Sequence, residues 1–338
     1  MWKAYMINCM DGGMDETRRQ EFIRRYREVG VEAVLVPEKD PKQVIARCQD
    51  ADLLGCCGDP DVPREVIESL PNLKVIQRYG IGVDAVDLKA AKDNGVLVLN
   101  EIGYCVEELA AHATALALSL LRNVGYQERR ARAGEWCKGK GIIPPRPDTF
   151  TVGLFGFGGS GRCMYRVWHH GFCSKIIACD PYLTAEDTKN YDVELVSFEE
   201  LLERSDIISI HAPLTEETHH KFDTDAFRAM KSSAMIVNVA RGPIIDQNAL
   251  IHALKTGEIR YAGLDVYEQE PIPADCALRE MDNVVMTCHS AFWGVQAKEQ
   301  LNDMVFEQMD GIVNRNEVER KYITNSGVVS KIPGLKIL

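Results

Sequence analysis

The chain has 338 residues, enough for two domains, and its 46% hydrophobic and 26% charged residues are typical of a globular protein. Its 39 basic and 50 acidic residues give a net charge of −11, which argues against nucleic acid or an anionic membrane as a partner, because both need a basic face. No apolar run is long enough to span a bilayer, and the N-terminus lacks the apolar core of a signal peptide.

The 11 cysteines are scattered along the chain, odd in number and without a C-x-x-C pair. No group of them has the spacing of a zinc site, so we expect no metal centre. Disulfide frameworks belong to oxidising compartments, whereas scattered thiols are typical of reducing ones. The pattern predicts reduced thiols in the protein core and a cytoplasmic location.

Two stretches of the chain alternate short apolar runs with helical segments, which predicts parallel sheets with helical crossovers. In the first stretch a helix is expected over "ETRRQEFIRRYREVG", closed by Gly30. In the second, the segment "SFEE" predicts a helix start at which Ser197 and Glu200 form a capping box. The apolar runs are "AYMINC", "EAVLVP", "ADLLGCC", "LKVIQRY" and "VLVLN" in the first stretch, and "FTVGLFG", "KIIACD", "DIISIH", "AMIVNVA", "YAGLDV" and "NVVMTC" in the second.

Longer segments link and close these stretches. A long helix is expected over 104–123, "YCVEELAAHATALALSLLRN", followed by a polar connection over 138–149, "KGKGIIPPRPDT". A closing helix is expected over 293–313. Just before it, the run "VVMTC" leads into His289, and we expect this strand to be buried and to hold the imidazole at a fixed point.

A glycine-rich segment, "GFGGSG", follows the first apolar run of the second stretch and precedes a helix. In such a loop the first glycine permits a tight turn, the second lets the backbone approach a pyrophosphate, and the third lets helix and strand pack closely. The next run ends in Asp180, 19 residues after Gly161, where an acid accepts hydrogen bonds from an adenosine ribose and repels a 2′-phosphate. The segment predicts NAD rather than NADP. The loop residues expected to bind it are Gly156, Gly158, Gly159, Ser160 and Gly161.

Polar residues follow three further strands of the second stretch. Arg241 follows "AMIVNVA", His289 follows "NVVMTC", and an acid, Glu268 or Glu270, follows "AGLDVY". Carboxyl ends of parallel strands share one edge of a sheet, where ligands bind. A guanidinium binds a carboxylate in bidentate fashion, and an imidazole transfers a proton near neutral pH.

Each of these residues has a purely structural explanation when taken alone. His289 fits a hydrogen-bonded histidine at a strand end, Arg241 fits a turn cap, and Asp265 fits a turn residue. Their shared position beside the glycine loop favours a catalytic site. We therefore expect hydride transfer between NAD and a carbonyl compound, with the imidazole supplying the proton.

Several motifs, in one order, span nearly the whole chain and resemble those of the D-isomer-specific 2-hydroxyacid dehydrogenase family. The motifs are "RYGIGVDAVDLKAA", "VEELAAHATAL", "VGLFGFGGSGR", "HAPLTEETHH", "NVARGPIIDQNALIHAL", "AGLDVYEQEP" and "CHSAFW". Three segments depart from the more usual pattern: "NEIG" (100–103) stands in place of "NTPG", "TCH" (287–289) stands in place of "TPH", and the connection before the glycine loop is unlike the common one. These departures concern loop shape.

The resemblance implies a role for individual residues. Arg241 would anchor the substrate carboxylate, His289 would be the acid/base, and Glu270 rather than Glu268 would be its partner. The remaining implied contacts are Asp265 with the nicotinamide carboxamide, His211 and Pro213 with the cofactor, the backbone of Ile81 and Gly82 with the substrate carboxylate, and Tyr104 with substrate in some members. A packed tyrosine explains Tyr104 equally well.

The same resemblance implies an α/β fold of two domains, each a parallel sheet flanked by helices. A Rossmann dinucleotide-binding domain, 103–293, would be inserted into a flavodoxin-like substrate domain formed by 1–102 and 294–338. The helical arm after residue 104 would build a twofold homodimer.

The activity implied is an NAD-dependent oxidoreductase that interconverts a small 2-keto acid and its D-2-hydroxy acid. An unphosphorylated acid is favoured, because Arg78 is the one basic residue near "QRYGIG". The alternative is an NAD-sensing regulatory binding protein of the same fold with little turnover. A histidine–glutamate pair suits alcohol–carbonyl chemistry better than formate or phosphite oxidation.

Overall fold

The computed structural model describes residues 1–8, 16–58, 60–136, 138, 143 and 145–338. The strands are β1 (Trp2–Ile7), β2 (Val31–Val36), β3 (Leu53–Cys56), β4 (Val75–Arg78), β5 (Leu97–Leu99), β6 (Thr151–Phe155), β7 (Lys175–Cys179), β8 (Glu194–Leu195), β9 (Ile207–Ile210), β10 (Met235–Asn238), β11 (Tyr261–Leu264), β12 (Val284–Met286), β13 (Glu317–Val318) and β14 (Lys336–Ile337).

The α-helices are α1 (Glu16–Glu28), α2 (Pro41–Arg47), α3 (Arg64–Ser69), α4 (Leu88–Asp93), α5 (Val106–Leu121), α6 (Val124–Arg132), α7 (Gly159–Tyr165), α8 (Ala185–Thr188), α9 (Phe198–Arg204), α10 (Thr224–Ala229), α11 (Gln247–Thr256) and α12 (Val295–Asp310). Short 3-10 segments cover Pro147–Thr149, Gly242–Ile244, Ala277–Glu280 and Arg320–Tyr322. Segments Arg166–Gly171 and Gly311–Arg315 continue α7 and α12 as π-helix.

The chain divides into two compact units. Unit 1 comprises Met1–Tyr104 and Val295–Leu338, and unit 2 is the continuous segment Cys105–Gly294. These bounds differ by one or two residues from the segments given by the resemblance, 1–102 with 294–338 and 103–293. The assignment of substrate binding to unit 1 stays a prediction.

Unit 1 contains a five-stranded parallel sheet in the order β2-β1-β3-β4-β5. Its strands are mostly apolar because both faces are covered. One face packs against α2, α3 and α4, with Val44, Val66 and Ala90 in the shared core. The other face packs against α1 and α12, which contributes Val305 and Met309. The C-terminal helix therefore completes the core of the N-terminal segment.

Unit 2 contains a seven-stranded parallel sheet in the order β12-β11-β10-β9-β6-β7-β8. The order reverses at β6, since β7 and β9 lie on opposite sides of it. This is the doubly wound Rossmann arrangement, in which ligands bind beyond the carboxyl ends of the strands at the reversal point. One face is covered by α5 and α7 and the other by α9, α10 and α11.

Two predicted helix boundaries are confirmed. Helix α1 ends at Glu28, and Gly30 follows it with φ +81°, a left-handed conformation that favours glycine. Helix α9 begins with a capping box, in which the hydroxyl of Ser197 accepts the N–H of Glu200 and the carboxylate of Glu200 accepts the N–H of Ser197.

The prediction of a buried strand before His289 is wrong. Strand β12 is the edge of its sheet, with β11 as its neighbour. Val284 is buried, but Val285 and Met286 are half-buried. An edge strand has a neighbouring strand on one side only. Strand β12 therefore does not by itself fix the position of the residues that follow it.

Nine cysteines within the described ranges carry free thiols. Cys173 and Cys288 are exposed, so the expectation of core thiols is wrong for these two, while Cys9 and Cys137 lie outside the described residues. The predicted connection over 138–149 is described at 138, 143 and 145–149. Among the described helices, none combines the length and the apolar character that a membrane span requires.

Candidate active site

Candidate functional side chains follow three neighbouring strands of unit 2, at the carboxyl ends of these strands. Asp265 comes directly after β11, while Arg241 and His289 lie three residues beyond the ends of β10 and β12. Because these strands are parallel and adjacent, their carboxyl ends lie side by side. The fold of unit 2 thus carries all three residues to the edge at which such sheets bind ligands.

His289 and Glu270 form a hydrogen-bonded pair. The Nδ1 atom of His289 lies 2.6 Å from Oε2 of Glu270, and Oε1 of the same carboxylate accepts the N–H of Tyr267 at 2.9 Å. Burial opposes ionisation of Glu270, but the hydrogen bonds from His289 and Tyr267 and the positive charges of His289 and Arg241 hold its pKa below the ordinary value. The carboxylate is ionised at neutral pH, and Nδ1 of His289 faces it.

Arg241 lies in a tight turn packed against the loop that carries Glu270. The side-chain amide of Asn238 donates to the Arg241 carbonyl at 2.9 Å, and Nη1 of Arg241 donates to the Ala240 carbonyl at 2.8 Å. A Cβ on Gly242 would lie 1.9 Å from the carbonyl of Tyr267, so this close approach requires glycine. The turn therefore fixes the backbone of Arg241 relative to Glu270.

Asp265 holds the turn that carries His289. Its carboxylate is fully buried and accepts the N–H groups of Ser290 and Ala291, each at 2.9 Å, and the hydroxyl of Thr287 at 2.6 Å. The ring of His112, from α5, lies 2.9 Å from the same hydroxyl. His112 and Thr287 were not predicted as site residues, although a histidine within the apolar run "LAAHATALAL" is a usable signal. The predicted contact of Asp265 with nicotinamide stays a prediction.

Glu268 has a different partner. Its Oε1 lies 2.5 Å from Nε2 of His220, whose backbone N–H donates to the carbonyl of Pro243. Spacing alone left Glu268 and Glu270 open as the partner of His289, and the structure pairs Glu270 with it. The His220–Glu268 pair, which sequence reasoning did not find, links the Arg241 turn to the Glu270 loop.

The glycine loop has the geometry that a dinucleotide needs. Gly156 has φ +94°, and a Cβ there would lie 2.7 Å from the backbone nitrogen of Ala212. A Cβ on Gly161 would lie 2.5 Å from the carbonyl oxygen of Gly156, so the start of α7 packs directly on the loop. At Gly158 no described atom lies within 4 Å of that position, which leaves the backbone open to a pyrophosphate. These residues fit the predicted cofactor.

Other predicted cofactor residues surround the loop. The carboxylate of Asp180, at the end of β7, accepts the N–H groups of Phe157 at 2.9 Å and Tyr182 at 3.1 Å. Nδ1 of His211, after β9, lies 3.1 Å from the hydroxyl of Ser160, and burial lowers the pKa of His211 to about 4, so its ring is neutral at pH 7. Pro213 is exposed, and its carbonyl accepts the hydroxyl of Thr218 at 2.7 Å.

In unit 1, the loop predicted to bind the substrate carboxylate through the backbone of Ile81 and Gly82 lies between β4 and α4. The Ile81 side chain is 37% exposed, whereas Tyr104 is buried and its hydroxyl would lie 3.9 Å from a Cβ on Gly80. The carbonyl of Ile81 accepts the side-chain amide of Asn100 at 2.7 Å, and that of Gly82 accepts Nε of Arg78 at 2.7 Å. Across the described residues, no group of histidines, cysteines and acids is placed to hold a metal ion.

The chain is similar to known proteins over most of its length. The family model described as "D-isomer specific 2-hydroxyacid dehydrogenase, NAD binding domain" matches residues 114–291. A glyoxylate reductase from Korarchaeum cryptofilum is 35% identical over 87% of this chain and 89% of its own length. A D-3-phosphoglycerate dehydrogenase from Methanocaldococcus jannaschii is also 35% identical, over 87% of this chain and 56% of its own length.

Two solved structures are similar over nearly the whole chain. An NAD-dependent formate dehydrogenase from Staphylococcus aureus in complex with NAD has a TM-score of 0.85 at 29% identity, covering 95% of this chain and 98% of its own. A D-lactate dehydrogenase from Aquifex aeolicus, complexed with NAD and lactic acid, has a TM-score of 0.81 at 25% identity, covering 92% and 95%. With the matched NAD-binding domain, these relatives identify NAD as the cofactor.

Proposed function

Because the chain belongs to the D-isomer-specific 2-hydroxyacid dehydrogenase family, we propose that it reduces a small, unphosphorylated 2-keto acid to the D-2-hydroxy acid. It is an NAD-dependent oxidoreductase, and the substrate and the roles of individual residues are the proposal. The observation that carries the proposal is the His289–Glu270 pair, 2.6 Å apart, at the strand edge shared with Arg241.

In this proposal, bound NADH supplies the hydride that the carbonyl carbon accepts. His289 gives the proton on Nε2 to the carbonyl oxygen, while its Nδ1–H donates to Glu270. The ionised carboxylate favours the imidazolium form and so keeps the proton on the ring before reaction. In the reverse direction the neutral imidazole takes the proton of the alcohol.

Arg241 is assigned to the substrate carboxylate and to the carbonyl oxygen. Its planar guanidinium offers two parallel N–H donors to a carboxylate and stabilises negative charge as it develops on the neighbouring oxygen. The N–H groups of Ile81 and Gly82 are assigned to the same carboxylate. Both assignments follow the family pattern and predict that a 2-keto acid binds more tightly than the corresponding aldehyde without a carboxylate.

The environment of Arg78 supports an unphosphorylated substrate. This residue is 5% exposed, and its guanidinium donates to the carbonyls of Gly82 at 2.7 Å and Cys56 at 3.0 Å and also to that of Gly58. A buried guanidinium that already serves backbone carbonyls is a poor phosphate ligand. Since Arg78 is the one basic residue near the loop sequence, the proposal excludes 3-phosphohydroxypyruvate as the preferred substrate.

A substrate panel tests this function. NADH oxidation is followed with glyoxylate, pyruvate, hydroxypyruvate, a branched 2-keto acid and 3-phosphohydroxypyruvate, and NAD reduction is followed with formate. We expect turnover with one or more unphosphorylated keto acids. His289→Ala should lower kcat about a hundredfold or more while NADH still binds, because the proton donor is lost. His252→Ala, on the exposed side of α11, is the matched control.

Other outcomes would contradict the proposal. Preference for the phosphorylated acid or for formate would overturn the substrate class. NADH binding without turnover of any acid would favour a regulatory NAD-sensing protein instead.

The oligomeric state belongs to the proposal as well. A homodimer built on the segment after Tyr104 is expected from the family pattern. Apolar side chains in that segment are exposed, with Val124 at 53% and Trp136 at 83%. Light scattering measures the mass directly, and a monomer at micromolar concentration would contradict this part.

A further inference from the structure

The buried acid Glu101 lies next to the loop of unit 1 that is predicted to bind the substrate carboxylate. Glu101, from the "NEIG" segment that departs from the usual family pattern, has no exposed surface. Its Oε1 accepts the side-chain amide of Gln77 at 2.6 Å, and its Oε2 accepts that of Gln308 at 2.8 Å. Gln77 lies on β4 and Gln308 on α12, so the carboxyl group joins two elements that are remote in sequence.

This cluster is costly to bury. Burial raises the pKa of Glu101 to about 9, against the opposing effect of the hydrogen bond from Gln77, so the group is a neutral acid at pH 7. The amide oxygens of Gln77 and Gln308 are buried without a hydrogen-bond partner in the described part of the chain, and either amide, turned over, offers its oxygen to the proton of the neutral acid. An apolar residue at position 101 avoids the desolvation of an acid, so the carboxyl group needs an explanation other than stability.

Hydrogen bonds from Glu101, Asn100 and Arg78 orient the peptide groups of residues 80–83. The carbonyl of Gly80 accepts the N–H of Glu101 at 3.1 Å, that of Ile81 accepts Nδ2 of Asn100 at 2.7 Å, and that of Gly82 accepts Nε of Arg78 at 2.7 Å. In a planar trans peptide, the carbonyl of one residue and the N–H of the next point in opposite directions.

Three successive carbonyls turned toward protein donors therefore turn the following N–H groups, those of Ile81, Gly82 and Val83, the other way. Among the described residues, the first two of these N–H groups have no hydrogen-bond acceptor. Successive N–H groups that point to one side form a concave site for an anion. Two of the donors that create it, Glu101 N–H and Asn100 Nδ2, come from adjacent residues after β5.

We propose that Glu101 is a positioning residue for the substrate carboxylate: held between Gln77 and Gln308, it fixes the segment whose donors turn the N–H groups of Ile81 and Gly82 outward. Glu101 does not touch the substrate in this proposal. The inference rests on the proposed function, in which those N–H groups bind the carboxylate.

The test compares four variants. Glu101→Leu removes both hydrogen bonds of the carboxyl group, and Glu101→Gln keeps a polar group of the same size. Gln308→Met removes one hydrogen bond to the carboxyl group at nearly constant side-chain volume. It tests the same inference if Glu101→Leu does not fold. Asn325→Ala is the matched control, because this buried amide bonds to the backbone of Val96 and Val98 but not to the loop.

The readouts are kcat and KM for the best keto acid, the Kd for NADH, and amide hydrogen exchange over residues 79–84 in the protein without ligand. Glu101→Leu should raise KM about tenfold with a smaller change in kcat and none in the Kd for NADH, and exchange over 79–84 should be about tenfold faster. In Glu101→Gln both KM and the exchange rate should stay within about twofold of the parent values. Gln308→Met should give values between those of Glu101→Gln and Glu101→Leu.

Parent values of KM and exchange in Glu101→Leu, or an equal rise of KM in Asn325→Ala, would overturn the inference. If the parent protein reduces no keto acid, the proposed function fails, and the exchange comparison alone then decides whether Glu101 positions the loop. An unchanged exchange rate in both Glu101→Leu and Gln308→Met would reject it even if the protein is an active reductase.

Discussion

The backbone carbonyl of Asp265 accepts the N–H of His289 at 2.7 Å, and the carboxylate of Asp265 accepts the next two N–H groups along the chain. One residue therefore holds three consecutive peptide groups of the turn. His289 has φ +50°, a left-handed conformation that costs a residue other than glycine about 1 kcal/mol. The hydrogen bonds to Asp265 offset that cost and place the imidazole where an edge strand alone would not.

Asp265→Asn should therefore lower kcat by about tenfold or more at saturating NADH. An amide offers one acceptor oxygen in place of two, so at least one N–H of the turn faces a donor. Asp223→Asn is the control, because Asp223 also accepts two backbone N–H groups, those of Asp225 and Ala226, at a helix start away from the turn. A parent kcat in Asp265→Asn would remove its role in holding His289.

The partner carboxylate sets the pH range of keto-acid reduction. Glu270 is ionised well below pH 7 and favours the protonated imidazole, so in Glu270→Gln the proton on His289 should be lost at lower pH. The rate of reduction should then decline at lower pH than in the parent, as measured by kcat/KM profiles. Glu268→Gln, which removes the negative charge beside His220, should leave the pH profile unchanged. Coincident profiles for Glu270→Gln and the parent would contradict the assignment.

Asp180 should control the choice between NAD and NADP. Its carboxylate accepts the N–H groups of Phe157, in the glycine loop after β6, and of Tyr182, after β7, and we expect a 2′-phosphate of NADPH to approach it. Asp180→Asn removes the negative charge, so KM for NADPH should fall about tenfold relative to KM for NADH. Asp192→Asn, an exposed acid of the same unit, should change neither. Equal cofactor ratios in Asp180→Asn and the parent would show that another group discriminates.

The buried acid of unit 1 should make stability depend on pH. Glu101 keeps its proton in the folded state up to about pH 9, whereas in the unfolded state it ionises near 4.5. Between these values the unfolded state binds fewer protons, so the free energy of unfolding decreases as pH rises, by at most about 1.4 kcal/mol per pH unit. Below pH 4.5 the effect vanishes, and above pH 9 it no longer grows.

Glu101→Gln has no such proton, so its stability relative to the parent should rise across this window, as measured by urea unfolding at several pH values. Glu65→Gln, an exposed acid of the same unit, provides the comparison. A constant difference between Glu101→Gln and the parent from pH 5 to 9 would mean that Glu101 is ionised in the folded protein.

Local sequence patterns and the topology of parallel sheets were sufficient to predict much of the fold and of the candidate site. The turn at Gly30 and the capping box at Ser197 involve neighbours in sequence, and a fixed pattern of residue types identifies them. The glycine loop and the residues after β10, β11 and β12 were found because parallel strands bring their carboxyl ends together. Glu270 was selected over Glu268 by resemblance, and the hydrogen bond to His289 agrees with that choice.

Contacts between remote segments could not be predicted in this way. Glu101 meets Gln308 across 207 residues, and no periodic pattern records that pairing. His112 lies close to Thr287 across 175 residues, and although a histidine in an apolar run is a signal, the sequence does not record which residue is its partner. The burial of β12 was overestimated because an apolar run looks the same in a central strand and an edge strand.

The return of the chain to unit 1 has a consequence during synthesis. Unit 2 is one continuous segment, so all of its sheet has been made once β12 leaves the ribosome. The face of the first sheet that packs against Val305 and Met309 is complete once Leu99 has been made, about two hundred residues earlier. It stays uncovered until α12 has been made. A nascent chain therefore exposes an apolar surface until α12 emerges, and we expect chaperone capture of ribosome-bound intermediates to end at that point.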